Sequence, residues 1–289
     1  MKRVYPIICY IAYLLFTPVA PSLAISQKII PAKAAIVTDS SGTIIYGKFP
    51  NTRLAPASTV KLVTAMVVID NLYPWTTVII SENAAKVRSI QPRLHPGDKM
   101  TVSDLLHIAL MKSVNSAAVA LAEATTGSEQ SFVTLMNLKA QEIGAKNTLF
   151  SNSSGLPTKG RQYTTANDLT LILKEALNYP LIREILEEKE YLVKTSAGRE
   201  IPLKNSDNLL WQSTNVIGGK TGYTGTARNC FVCAINTEKG PLYTAVLGAR
   251  LRSSLWSSTI LLAEIGMNSD AVFFPVKPLS LALTLPDED

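Results

Sequence analysis

The chain has 289 residues, of which 47% are hydrophobic and 17% are charged, and its formal net charge is +6. This composition can bury a sizeable core in one large domain or two small ones, and it excludes a long disordered tract. No run of basic residues interleaved with aromatic residues is present, which argues against a nucleic-acid partner. No internal repeat is visible.

The first 24 residues have the pattern of a signal peptide. Lys2 and Arg3 precede an apolar run, 4–16, of about 13 residues, which is shorter than the ~20 that a spanning helix needs. Small residues at 22 and 24 are suited to signal peptidase. We therefore expect residues 1–24 to be removed and the protein to be exported, with a retained anchor as the alternative. Removing the two charges of Lys2 and Arg3 from +6 leaves +4, which favours an anionic polymer such as a cell wall.

The first third of the mature chain predicts a hairpin followed by a buried helix. Two apolar stretches that alternate around 39–42 predict the β-hairpin. The segment from Ser58 to Leu72 is almost wholly apolar, so we expect a helix that is buried on all sides.

Three further helical segments follow. One is capped near Thr101 or Ser103 and is interrupted by a turn at 113–115. The next ends at Gly144, and the third is capped by Thr164 or Thr165.

The pattern changes from about residue 190. Short β-runs separated by turns precede a closing helix at 253–267, and these runs are 190–195, 216–223, 229–235 and 242–249. The order of elements predicts an α+β fold in one domain over residues 25–289. One mainly antiparallel sheet is built from both ends of the chain, with a helical insertion at about 80–185, because the late connections are too short for crossovers.

The stretch Ser58-Thr59-Val60-Lys61 places a serine and a lysine one helical turn apart. A serine at a helix start lies where backbone N–H groups are unpaired. Lys61 shares its face, so its amine can reach the Ser58 hydroxyl. To act as a base, Lys61 must lose a proton near pH 7, and burial together with a second ammonium at Lys220 would lower its pKa. The alternative, a surface lysine, is disfavoured because the helix has little polar face.

Two further motifs accompany this pair. Ser113-Val114-Asn115 falls in a break between helices, and Lys220-Thr221-Gly222 lies on a predicted strand. The S-x-x-K motif of Ser58 and Lys61 and the Ser113-Val114-Asn115 motif are each weak alone. Roughly one or two S-x-x-K matches arise by chance in a chain of this size. Their order and local context together are typical of penicillin-binding proteins and class A β-lactamases.

The sequence gives little support for other catalytic or metal-binding groups. Cys230 and Cys233 form C-x-x-C, but on a strand they face opposite sides and no further ligands complete a zinc site, so we predict two packed thiols. His107 and Asp104 could belong to a Ser-His-Asp triad, but the chain has no G-x-S-x-G elbow, and both histidines, His95 and His107, are interpreted as structural.

With these motifs, the chain resembles the low-molecular-mass penicillin-binding proteins of the D-alanyl-D-alanine carboxypeptidase type, which are serine peptidases acting on peptidoglycan. The resemblance runs from about Lys33 to Met267. It implies a β-lactamase/transpeptidase-like fold, in which helices flank a mainly antiparallel sheet and an all-helical subdomain is inserted. Segments carrying it are 51–62, 105–123, 147–157, 163–169 and 218–230.

The resemblance implies a role for each residue of the first two motifs. Ser58 would attack the carbonyl of the penultimate D-Ala, and Lys61 would take its proton. Ser113 would relay a proton to the leaving amine, while Asn115 would bond the substrate amide and orient Lys61.

It also assigns the third motif to substrate binding. Lys220 and Thr221 would hold the terminal carboxylate, and Gly222 and Tyr223 lie on the same strand, with the Tyr223 N–H completing an oxyanion hole with that of Ser58. Arg250, together with Arg252, would assist in carboxylate recognition. No metal or cofactor is implied.

The chain departs from the family pattern at three positions. Ser154 and Tyr223 replace histidines found in many members, and Leu255 stands where some members have a second arginine. No β-rich domain is expected after the closing helix, and no stable membrane anchor after signal cleavage.

The leading hypothesis is a D,D-carboxypeptidase that removes the terminal D-Ala from peptidoglycan stem peptides, in the periplasm or at the outer face of the cytoplasmic membrane. β-Lactam antibiotics are the expected inhibitors. The alternatives are a D,D-endopeptidase, a non-catalytic peptidoglycan-binding module, and a β-lactamase. A β-lactamase would need a carboxylate to activate water, and its nearest candidate, Glu175, lies in a predicted helix.

Overall fold

The computed structural model describes residues 30–268 and the backbone of a short strand at 274–275. The predicted signal peptide, residues 1–24, lies outside the described residues. Within the described part, no helix has both the length and the apolar composition needed to cross a bilayer.

The predicted order of a hairpin, a helical block, several strands and a closing helix is present along the described residues, with additional short elements between them. The strands are β1 (Ala34–Thr38), β2 (Ile44–Lys48), β3 (Thr77–Ile79), β4 (Lys99–Thr101), β5 (Glu190–Lys194), β6 (Glu200–Lys204), β7 (Val216–Thr224), β8 (Arg228–Ile235), β9 (Leu242–Ala249) and β10 (Phe274–Pro275). The helices are α1 (Lys61–Asn71), α2 (Glu82–Lys86), α3 (Val102–Met111), α4 (Asn115–Thr126), α5 (Glu129–Ile143), α6 (Ala166–Ala176), α7 (Pro180–Glu187), α8 (Asn208–Gln212) and α9 (Ser253–Asn268). A 3-10 turn, Ala57–Val60, leads directly into α1.

The main sheet brings the two ends of the chain together. Its strand order is β10–β2–β1–β9–β8–β7, and every neighbouring pair is antiparallel except β10 with β2. The predicted α+β fold with a mainly antiparallel sheet is confirmed. Strand β7 lies at one edge, so one row of its backbone groups has no strand partner.

The first hairpin forms where the sequence predicts it. The Asp39 carboxylate accepts hydrogen bonds from the backbone N–H groups of Ser41 and Thr43, at 2.8 and 2.9 Å, and so closes the turn between β1 and β2. A carboxylate in this position stabilises a turn because it accepts hydrogen bonds from backbone N–H groups that have no partner on the opposite strand.

Helix α1 lies in the centre of the protein. All residues from Lys61 to Val68 are buried, as the nearly continuous apolar sequence predicts. The predicted caps also form, because Thr101 and Thr165 accept from the third residue of their helices and Gly144 ends α5 at a φ of 87°. Glycine tolerates this left-handed conformation at little cost.

Both faces of the sheet are covered by apolar layers. Helix α9 packs on one face, and α6 packs on the other, against β8 and β9. Cys230 and Cys233 of β8 belong to the two different layers and both are free thiols, as expected from their strand spacing.

Two features differ from the expected layout. The segment at about 80–185 is not wholly helical, since β4 pairs with β3 there, and its helix α6 packs on the main sheet. Strands β5 and β6 pair with each other and stay outside the main sheet, while β10 joins it beside β2. Two-residue strands such as β10 carry no periodicity that a sequence pattern could reveal.

Candidate active site

Ser58 lies in the 3-10 turn at the entrance to α1, between the edge strand β7 and the loop that contains Gly155. A Cβ at Gly222 of β7 would lie 2.9 Å from the Ser58 nitrogen, and one at Gly155 would lie 1.9 Å from the Ala57 carbonyl oxygen. Ala57 itself has a φ of 50°, which is costly for a residue with a side chain. The turn therefore depends on glycines in both neighbouring segments.

The Lys61 amine lies at the centre of a hydrogen-bonded cluster. Its Nζ is 2.8 Å from Ser58 Oγ, 2.7 Å from Asn115 Oδ1 and 2.8 Å from the Ser154 carbonyl oxygen. The side chain is only 1% exposed. The structure thus brings Asn115, 54 residues after Lys61 in the chain, to the Ser58–Lys61 pair, and adds a carbonyl that the motifs did not indicate.

These three partners orient the amine. The Ser154 carbonyl and Asn115 Oδ1 can only accept hydrogen bonds, whereas the Ser58 hydroxyl can donate or accept. A neutral amine has two N–H donors and one lone pair. When Lys61 is neutral, the two carbonyl oxygens take both N–H bonds, and the lone pair faces the Ser58 hydroxyl.

The environment favours that neutral form. Burial, and then repulsion from the Lys220 ammonium, hold the pKa of Lys61 well below its ordinary 10.5. A neutral amine 2.8 Å from a serine hydroxyl is positioned to act as a general base.

The Ser154 carbonyl is held against Lys61 by the loop around it. The Thr64 hydroxyl of α1 donates to the Ser153 carbonyl at 2.7 Å, and Glu129 of α5 accepts from both the Ser153 N–H and hydroxyl. Asn152 Oδ1 accepts from the Gly155 N–H at 2.7 Å. Ser154 contributes to this site through its backbone carbonyl.

Ser113 lies in the turn between α3 and α4 with a φ of 64°. Among the described residues, its partly exposed hydroxyl has no hydrogen-bond partner. The predicted break at 113–115 is therefore present, and Asn115 is the first residue of α4.

Lys220 lies on β7 and is completely buried. Burial and the nearby Arg252 guanidinium lower its pKa to about 7, against the opposing influence of Asp207. Its Nζ donates to the Thr221 carbonyl at 3.1 Å. A lysine in this state carries its full charge once an anion enters the cleft, because the anion favours the ammonium.

Thr221 and Arg252 meet at Ser206, which precedes α8. The Thr221 and Ser206 hydroxyls are 2.9 Å apart, and Arg252 Nη2 donates to the Ser206 carbonyl at 3.3 Å. Arg250, in contrast, contributes its own carbonyl to the side chain of Asn229. The Arg252 guanidinium therefore lies at this corner, close to Lys220.

Tyr223 continues β7 past Gly222, and its side chain is 59% exposed. The first turn of a helix has no internal acceptors for its N–H groups, so the Ser58 N–H is available beside this edge strand. The arrangement is suited to an oxyanion hole, with one donor from the turn and one from the strand.

The other candidate groups lie apart from this cluster. His107 Nδ1 is 2.7 Å from the Ser103 carbonyl, and its ring stacks on Tyr191 with centroids 3.6 Å apart. Burial raises the pKa of Cys230 to about 11, so its thiol stays protonated. Glu175, considered as a water-activating carboxylate, accepts from Asn178 at the end of α6.

The cluster places a serine hydroxyl 2.8 Å from a lysine amine whose pKa is lowered, an arrangement suited to acyl transfer. Comparison with known proteins gives the family. Residues 22–251 match the D-alanyl-D-alanine carboxypeptidase family of peptidases. The chain belongs to this family.

Two curated relatives show how the match is distributed. The chain is 36% identical over 224 residues to the D-alanyl-D-alanine carboxypeptidase DacF of Bacillus subtilis, covering 75% of this chain and 57% of that protein. It is 32% identical over 240 residues to a D-alanyl-D-alanine endopeptidase of Pseudomonas aeruginosa, covering 80% and 76%. The chain thus spans less than two thirds of the first relative and most of the second.

Solved structures agree on the fold. A D-alanyl-D-alanine carboxypeptidase from Mycobacterium tuberculosis superposes with a TM-score of 0.78 at 32% identity, covering 82% of this chain and 91% of that one. A DD-transpeptidase from Streptomyces superposes with a TM-score of 0.78 at 30% identity, covering 84% and 99%.

Proposed function

We propose that the protein is a serine D,D-carboxypeptidase that removes the terminal D-Ala from peptidoglycan stem peptides through an acyl-enzyme on Ser58. The observation that carries this proposal is the buried Lys61 amine, 2.8 Å from Ser58 Oγ and fixed by two carbonyl acceptors. A non-catalytic binding module would have no need of a lysine held in this way.

In the first half of the reaction, Lys61 accepts the Ser58 proton while Oγ bonds to the carbonyl carbon of the penultimate D-Ala. The backbone N–H groups of Ser58 and Tyr223 stabilise the resulting oxyanion; removing one such donor typically costs ~10²–10³ in rate. The C–N bond to the terminal D-Ala then breaks, and Ser113 relays the proton to the leaving amine. Water subsequently hydrolyses the ester and restores Ser58.

The terminal carboxylate of the substrate binds at the corner formed by Lys220, Thr221 and Ser206. Lys220 supplies the buried charge, and Thr221 a hydroxyl. We assign the supporting guanidinium to Arg252, whose Nη2 is 3.3 Å from the Ser206 carbonyl. Gly222 allows β7 to approach Ser58.

The same site explains why β-lactams would inhibit the enzyme, since their carboxylate and reactive carbonyl match these two subsites. Because its substrate is the cell wall, the protein acts outside the cytoplasmic membrane, in the periplasm or at the outer face of that membrane. The family to which the chain belongs and the N-terminal signal-like pattern support this location.

The first experiment is intact-mass analysis after incubation with a penicillin. We expect a stable addition of one drug mass that is lost in Ser58→Ala and retained in Ser257→Ala, a control at an exposed serine on α9. An adduct that persists in Ser58→Ala would overturn the assignment of the nucleophile. Hydrolysed drug without an adduct would indicate a β-lactamase instead.

A D,D-endopeptidase is the second candidate, because the chain is also 32% identical, over 80% of its length, to a D-alanyl-D-alanine endopeptidase of Pseudomonas aeruginosa. A soluble pentapeptide and a cross-linked muropeptide, assayed side by side, separate the two. Release of D-Ala from the pentapeptide supports our proposal, whereas cleavage of the cross-link alone supports the endopeptidase.

A further inference from the structure

Helix α4 begins with an unusual N-terminus. Its N-cap residue is Val114, which is apolar and completely buried and has no side-chain acceptor to offer. The N–H groups of the first helical turn have no partners inside the helix, and burying them unpaired is costly. Asn115 and Ser116, the first two residues of α4, therefore need an acceptor from elsewhere in the chain.

Ser89 supplies this acceptor from a distant segment. Its Oγ accepts from the Asn115 N–H at 2.7 Å and from the Ser116 N–H at 3.0 Å. The hydroxyl thus occupies the place that a serine or threonine N-cap would take in an ordinary helix, although it lies 26 residues before Asn115 in the chain.

The residue before Ser89 fixes the side-chain amide of Asn115. The Arg88 carbonyl oxygen is 2.8 Å from Asn115 Nδ2. Because a carbonyl can only accept, the amide must present its nitrogen to Arg88, and its oxygen then faces Lys61 Nζ at 2.7 Å. The orientation of the amide is therefore set by the Arg88–Ser89 segment.

This segment is itself anchored to α4. Helix α2, which precedes it, is bound through the side chains of Ser81 and Asn83 to the carboxylate of Glu123, in the last half of α4. The chain from α2 to Ser89 consequently contacts α4 near both of its ends.

We propose that Ser89 is a positioning residue for the general base: together with the Arg88 carbonyl it holds Asn115 so that Asn115 Oδ1 takes one N–H of Lys61 and the lone pair of the amine faces Ser58. This inference rests on the proposed function, in which Lys61 is the base. It extends the site beyond the three motifs to a loop that carries none of them.

The test measures the first-order rate of acylation by a penicillin at saturating drug, together with the melting temperature. We expect Ser89→Ala to slow acylation roughly tenfold, the equivalent of one lost hydrogen bond in the cluster. Ser89→Thr keeps a hydroxyl and should restore most of the rate.

Thr101→Ala is the matched control. It removes a hydroxyl that caps the N-terminus of the neighbouring helix α3, at the end of α3 that is away from the active site. We expect it to lower the melting temperature by a similar amount to Ser89→Ala while acylation of the folded protein stays at the wild-type rate.

Four outcomes are informative. Wild-type acylation by Ser89→Ala, or an equal loss in Thr101→Ala, would overturn the positioning role while leaving the acyl-enzyme on Ser58 intact. Failure of Ser89→Thr to recover the rate would also contradict it. An adduct that survives in Ser58→Ala would instead refute the proposed function itself.

Discussion

Replacing Lys220 with methionine should make the protein more stable at neutral pH and inactive. The lysine is completely buried, and its pKa falls from an ordinary 10.5 to about 7, chiefly through burial. A basic group whose pKa is lower in the folded than in the unfolded protein reduces the free energy of unfolding wherever the unfolded chain binds more protons. For Lys220 this loss is absent above pH 10.5 and grows as the pH falls towards 7. The two pKa values give a cost of about 4 kcal/mol at pH 7 and about 2 kcal/mol at pH 9.

Urea unfolding of the wild type and Lys220→Met at both pH values measures this difference. Asp207 complicates the comparison, because its buried carboxylate loses a nearby cation in the variant. The same substitution is therefore also made in an Asp207→Asn background, where that loss does not occur.

We expect methionine to stabilise the protein more at pH 7 than at pH 9, by about 2 kcal/mol, and to abolish the penicillin adduct. An effect of equal size at both pH values would mean that Lys220 titrates near its ordinary pKa in the folded protein, which would refute the reasoning. Lys220 thus lowers the stability of the folded protein, as is common for a residue that serves substrate binding.

Three other substitutions or treatments test separate parts of the site. Gly155→Ala should unfold at lower temperature than Gly127→Ala. Both glycines have φ near +80°, but only at Gly155 would the new Cβ lie 1.9 Å from a carbonyl oxygen. Equal melting temperatures would show that the loop moves aside without cost in stability. Asp207→Asn removes a group that raises the pKa of Lys220. The alkaline limb of the acylation rate should therefore move to lower pH, and a shift to higher pH would contradict the assignment. Cys230, buried and with its pKa raised to about 11, should resist iodoacetamide at pH 8 until the protein is denatured, as mass spectrometry would show, whereas rapid labelling of the native protein would not fit this structure.

Local sequence was sufficient for most of the secondary structure. The apolar run after Ser58 predicts a buried helix because no polar face is left for solvent, and the two alternating apolar stretches around 39–42 predict a hairpin. Both predictions are confirmed. Of the β5–β6 hairpin, only β5 was predicted, as the run 190–195; β6 and the separate sheet were not, since a pattern of alternating residues does not identify the partner strand.

The candidate site shows the same division. The spacing of Ser58 and Lys61 follows from the helical repeat, so their contact was predictable. The carbonyl of Ser154 was not, because any residue has one and no side-chain pattern marks it. Ser89 was missed for a related reason: an isolated serine in a loop gives no sign that it will cap a helix whose own N-cap is valine.

By itself, the sequence determined the chemical groups of this protein and the periodicity that places each one on a helix, turn or strand. Only the tertiary structure decided how those groups act on one another. The pKa of Lys61 falls because folding removes water from its amine and brings Lys220 close, and its lone pair faces Ser58 because carbonyls from two other segments occupy its N–H bonds. These effects depend on distances between residues far apart in the chain, which a linear pattern does not contain.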